Sequence, residues 1–176
     1  MKKFILSAAL LSVALPAALP AALAQATQTR APAATGTDVL KAILKAKGLV
    51  LTDAQVAAIL AGLQPGSASA GPYAALLGIS PESLTSLLSA KTTAVPAAVA
   101  LKAVLEAARP APRPGETPKP VSLAAVQQLL ASNPSLFTGS VDSVAKLVAD
   151  PVAASTLANR AEVIANAPVT PRGGGN

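Results

Sequence analysis

Ser143 and Lys146 stand three residues apart in the segment SVAK. On a helix that spacing puts both side chains on one face. A lysine amine there can take the proton of the serine hydroxyl and make it a nucleophile. The chain offers little else at a catalytic spacing. It has no histidine and no cysteine, so zinc sites built on those residues and a disulfide framework are both excluded. General acid–base work falls to eight carboxylates. None recurs in a D-x-D-x-D calcium loop, and no predicted helix face pairs two of them. A glycosidase-type pair assembled from distant parts of the chain would leave no mark in the sequence. The glycines of GLQPG and PRGGGN lead into no Lys-Ser/Thr on a helix, so neither stretch is a phosphate cradle.

The Ser–Lys pair also lacks company. In penicillin-interacting serine enzymes the S-x-x-K motif works with S-D-N and K-T-G elements. The closest approach here is KTT from Lys91, which lacks the glycine. Ser143 therefore reads as a surface or capping residue, and Lys146 as a solvated charge. The sequence assigns no catalytic, cofactor-binding or metal-ligating residue and implies no cofactor. It points away from an enzyme.

The elements that would position any site begin after a leader. MKKFILSAALLSVALPAALPAALA has a basic start, an apolar run and small residues at its end. This is the form of a cleaved secretory signal over 1–24, with a second small-x-small site ending at Ala26. Pro16 and Pro20 hold the uninterrupted apolar run below the ~20 residues that a membrane span needs. No cysteine follows it, which excludes a lipid-anchored form. The expected location is the periplasm, the cell envelope or the extracellular space.

The formal charge of +6 falls when Lys2 and Lys3 leave with the leader, and the rest is spread along the chain. No nucleic-acid partner is expected, because that needs a clustered basic face. A weak membrane-surface contact is permitted. KAILKAK, with Lys41, Lys45 and Lys47, comes nearest to a lipid-surface helix but lacks a boundary aromatic. Roughly a quarter of the mature chain is Leu, Val, Ile or Phe, above the ~20% that marks disorder. The chain is expected to fold around Leu, Val and much alanine.

The period is helical throughout, so the predicted fold is all-α. It is a small alanine-rich domain of about eight short helices, in two halves joined by a proline-rich connector. A flexible segment is expected over 25–36, about five helices over 37–108, a proline-rich linker over 109–120, three helices over 121–167 and a disordered tail over 168–176. Thr37 is the expected cap of the first helix, and Gly48 its left-handed end, with Leu49 folding back toward Leu44. Thr52 with Gln55 makes a capping box, flanked by a Leu51–Val56 staple. The first two helices are predicted to form an antiparallel hairpin. A short turn is expected around YAALLG. Ser80 caps the next helix with Pro81 at its first position and an Ile79–Leu84 staple. A helix over 96–108 carries Leu101, Val104 and Leu105 on one face. The linker is read as a polyproline spacer, or as a strand for an aromatic-lined groove. Ser122 opens a helix with a Val121–Val126 staple, SNPSLFTG makes a turn, and Ser140 opens another helix. Asp150–Pro151 ends that helix and caps the last one, which carries Val152, Leu157, Ala161 and Ile164.

Starts at Thr52, Ser80, Ser122 and Ser140 share one spacing of a hydroxyl and later aliphatics. Their unequal separations exclude a solenoid, whose repeats must stack at a steady period. A common way of starting helices explains the spacing.

These readings predict an exported, non-enzymatic protein that acts by protein–protein contact, with a protein partner or by self-association. A membrane-surface or lipid-binding helical protein is the alternative. A hydrolase with an unrecognised carboxylate site is the third reading.

Overall fold

Hydroxyl and carboxylate caps set most of the helix starts, and the structure has eight helices and no strands among the described residues. The computed structural model describes residues 31–64, 70–110 and 120–167. The expected leader, the tail over 168–176 and most of the proline-rich linker lie outside them. The elements are α1 (Gly36–Ala46), α2 (Asp53–Gly62), α3 (Ala70–Leu77), α4 (Pro81–Ser89), α5 (Ala97–Ala108), α6 (Leu123–Ser132), α7 (Val141–Ala149) and α8 (Pro151–Asn166).

Thr52, Ser80, Ser122, Ser140 and Asp150 each accept a backbone N–H from the third residue of their helix. Each bond satisfies a donor that the helix leaves without a partner. The Thr52 box is complete, with the Thr52 N–H donating to Gln55 Oε1 at 2.8 Å. At the end of α1, Gly48 has φ +78°. The Leu49 N–H reaches Leu44 O, and the Gly48 N–H reaches Lys45 O, each at 3.0 Å. This paired pattern closes a helix end wherever a residue without Cβ can turn left-handed. YAALL belongs to a full helix, α3, which Gly78 ends with φ +71°, rather than to a short turn.

The first helix starts differently from expectation. Thr35, not Thr37, is its cap, and Asp38 completes a box: the Thr35 N–H donates to Asp38 Oδ2 at 2.9 Å. Thr37 instead donates its hydroxyl to Lys91 O at 2.7 Å. The reason lies between the two threonines. A Cβ on Gly36 would stand 1.9 Å from Leu87 O, so only glycine lets α1 begin against the end of α4.

The chain just before α1 is tied down on both sides. The Ala34 N–H donates to Gly139 O at 2.8 Å, and Ala34 O accepts from the Val95 N–H at 2.9 Å. The Gly36 N–H reaches Ala90 O at 2.8 Å. Ala34 is fully buried. The segment read as flexible over 25–36 therefore ends in a buried, hydrogen-bonded stretch. Periodicity carries no signal for it, because its partners are loop carbonyls and amides far along the sequence.

α5 is the central helix. It packs against α1, α4, α6, α7 and α8, and every residue from Ala100 to Glu106 is buried. A helix apolar on nearly all sides belongs in the middle of a core. Full burial of Leu101 or Leu105 contributes about 1.5–3 kcal/mol each. Ala100 and Ala103, also fully buried, let neighbours come close. The helices before and after the linker share this one core.

α2 departs from the expected antiparallel hairpin: it lies along no other helix and makes only glancing contacts. Its apolar residues go round the axis without forming a stripe, and only Val56 and Leu60 are buried within it. Lys91 holds its end instead, donating to Leu60 O and to Leu63 O, where a cation also suits the helix dipole. On α8 the buried face is Ala154, Leu157, Ala158 and Ala161. Val152 was expected on that stripe but is 75% exposed, since at 3.6 residues per turn it falls on the side of α8 opposite Ala154 and Ala161.

Candidate functional site

The Ser143–Lys146 pair is not assembled. The Ser143 hydroxyl donates to Ser140 O at 2.9 Å, and its N–H donates to Ser140 Oγ at 3.2 Å. Both groups serve the start of α7, and Lys146 points to solvent.

A different serine does meet a lysine. Lys102 Nζ donates to Ser83 Oγ at 2.7 Å, to Ser80 Oγ at 2.9 Å and to Glu106 Oε1 at 2.8 Å. Glu106 then accepts the Ser80 N–H at 2.9 Å and the Val121 N–H at 3.3 Å. The cluster joins the start of α4, the middle of α5 and the approach to α6. All four side chains are buried or nearly so: Ser83 is 2% exposed, Lys102 7% and Glu106 5%, while Ser80 borders the same interior. One sequence signal was available. In AAVALKAVLEAA, Lys102 and Glu106 are the only charges and stand one turn apart on a helix that is otherwise apolar.

The cluster has the members of a serine–lysine dyad but not the arrangement. A base needs a lone pair aimed at the serine proton. Lys102 has three acceptors for the three N–H groups of an ammonium, one of them a carboxylate. Neither of the two surface clefts described below reaches Ser83. The network satisfies buried polar groups and ties three segments together.

Most of the other described carboxylates are also committed. Asp38 and Asp150 cap helices. Asp53 pairs with Lys41 at 2.8 Å, and Glu162 with Arg109 at 3.5 Å. Glu82 and Asp142 occupy first helical turns, where negative charge suits the dipole. Among the described residues no three His, Cys, Asp or Glu side chains come together as a metal site. Lys47 donates to Ala107 O at 2.9 Å at the end of α5. Of the lysines in KAILKAK, only Lys45 is left without such a role. No described helix is long and apolar enough to cross a membrane.

Two clefts among the described residues lie where α6 and the segment before it meet α8. Their linings show the helices antiparallel: Val121 and Ser122 face Ala165 and Asn166 at one end, and Leu129 and Asn133 face Asn159 to Ile164 at the other. The first cleft, about 130 Å³, lies beside the Arg109–Glu162 pair. The second is a groove of about 340 Å³. Leu129 and Ile164 form its floor, and Val163, 71% exposed, forms a wall. Asn133, Asn159 and Arg160 stand on its rim. These rim residues carry no sequence signal, because they come from two helices that meet only in the fold.

The chain matches no known protein-family model, and no curated protein or solved structure is significantly similar to it.

Proposed function

We infer that this is an exported protein of the periplasm or cell envelope that acts by binding another protein and catalyses no reaction. One contrast supports the reading. Most of the described carboxylates and lysines serve helix caps, helix ends, ion pairs or the buried network, and the rest, such as Glu82 and Lys146, stand singly at exposed positions. Asn133, Asn159 and Arg160 on the α6–α8 groove have no such duty, and they stand beside exposed Val163. Grooves of this kind, apolar with a few convergent polar groups, are the usual form of a binding site. A photoreactive amino acid at Val163, with another at exposed Ala57 on α2 as control, tests it in the producing cells. Protein adducts specific to Val163 are expected. Adducts at neither position, together with a strictly monomeric protein in analytical ultracentrifugation, would remove the support for this function.

A membrane-surface role is the second reading. Leu49 and Val50 are 40% and 87% exposed at the α1–α2 turn, next to exposed Lys45. Co-sedimentation with anionic vesicles that Val50→Asp abolishes would favour it over protein contact.

A further inference from the structure

We propose that the groove between α6 and α8 receives the carboxyl-terminal end of a peptide chain, holding a free α-carboxylate at Arg160 and an aliphatic last side chain against Leu129, Val163 and Ile164. This rests on the reading of the protein as a protein-binding one and names the part of the partner that is bound.

Charge selects the anion. Arg160 is exposed and has no ion pair among the described residues. No acidic residue lines the groove. The acid closest in sequence, Glu162, pairs with Arg109 on the other side of α8. A lone guanidinium beside apolar walls suits a carboxylate, which it can grip through two parallel hydrogen bonds.

The carboxamides select a peptide over a lipid. Asn133 and Asn159 lie on the same rim, and each side chain offers both a donor and an acceptor. A peptide group offers the same two functions in return. A fatty acyl chain offers neither and would cover the amides without pairing them, which is unfavourable.

Size selects a chain end over a helix. A volume of about 340 Å³ is near the lower limit for small-ligand sites. A docked amphipathic helix needs anchors over two turns or more. The last two or three residues of an extended chain fit the smaller space, and only a chain end supplies the α-carboxylate.

The test uses the protein purified from its producing cells, labelled with ¹⁵N. N-acetyl-Ala-Ala-Leu with a free carboxylate is titrated in while amide resonances are followed. Its carboxyl-terminal amide and decanoate serve as comparison probes. Saturable shifts confined to the end of α6 and to Asn159–Ile164 are expected. Amidation of the probe should weaken binding about tenfold or more, because the charge-assisted pair is lost. Arg160→Gln should do the same, and Val163→Ser should weaken the free acid and the amide alike. Both substitutions are at exposed positions, and unchanged circular dichroism checks the fold. No saturable shift up to about millimolar probe, the range of very weak binding, would overturn the proposal. So would equal affinity for acid and amide, or decanoate binding better than the peptide. Protein adducts at Val163 without peptide binding would retain the protein-contact function and reject the chain-end ligand.

Discussion

Replacing Lys102 with methionine should cost about 3–5 kcal/mol, the range for removing one partner of a buried ion pair. The pair is buried on both sides: the Lys102 and Glu106 side chains are 9% and 4% exposed. On an exposed helix a lysine four residues before a glutamate contributes only a few tenths of a kcal/mol, and this is the weaker order. Burial changes the scale. Without the ammonium, the Glu106 carboxylate keeps only the Ser80 and Val121 N–H groups, and the Ser80 and Ser83 hydroxyls lose a donor. Glu106→Gln leaves the opposite charge stranded and should cost a similar amount. The double variant Lys102→Met/Glu106→Gln strands neither charge. It should be less destabilised than the sum of the singles by about 2 kcal/mol or more, toward the upper part of the range for contacting residues. Urea unfolding of all four proteins, followed by circular dichroism, measures the cycle. With a slope of about 1–3 kcal/mol per molar urea, each single midpoint should fall by about 2 M. A domain of this kind has about 5–15 kcal/mol in total. If a single variant is unfolded in buffer, the cycle is run in a stabilising osmolyte. Single variants within about 0.5 M of the parent, or costs that simply add, would refute the argument that the pair is desolvated and mutually dependent.

Gly36→Ala should be severely destabilising, because its Cβ would sit 1.9 Å from a backbone oxygen. Gly48→Ala meets open space and should cost only about 1–2 kcal/mol for its left-handed φ; thermal unfolding should rank the two in that order. Thr35→Ala should cost about 1 kcal/mol through loss of the capping bond, as should Thr52→Ala. Thr37→Ala should leave the α1 start intact, so random-coil amide shifts at Asp38 in that variant would contradict the assignment of the cap. Hydrogen exchange should be fastest in α2, which has few buried contacts, and slowest in α5. Protection of α2 equal to that of α5 would contradict its outlying position.

The all-α class and the places where most helices begin and end can be read along the chain. Thr52 with Gln55, Ser80 before Pro81, Asp150 before Pro151 and Gly48 after Lys47 are readable because each acts within about one turn of its own position. The core face of α5 was legible for a related reason: aliphatics at helical spacing select the side that leaves water. Capping was misread at Thr37 because two threonines stood near the start, and the choice fell to the distant carbonyl of Leu87, which admits only glycine between them. Packing also buried Ala34 between two loops and left α2 apart. Ser143 and Lys146 stand as their sequence reads, at a helix start and as a solvated charge, so packing made its mark on another pair. It buried Lys102 and Glu106, which spacing alone would place on a wet face. The α6–α8 groove has the same origin. Its residues are far apart along the chain and have no common period, so the groove exists only once antiparallel packing of the two helices brings Leu129 and Asn133 to Arg160 and Val163.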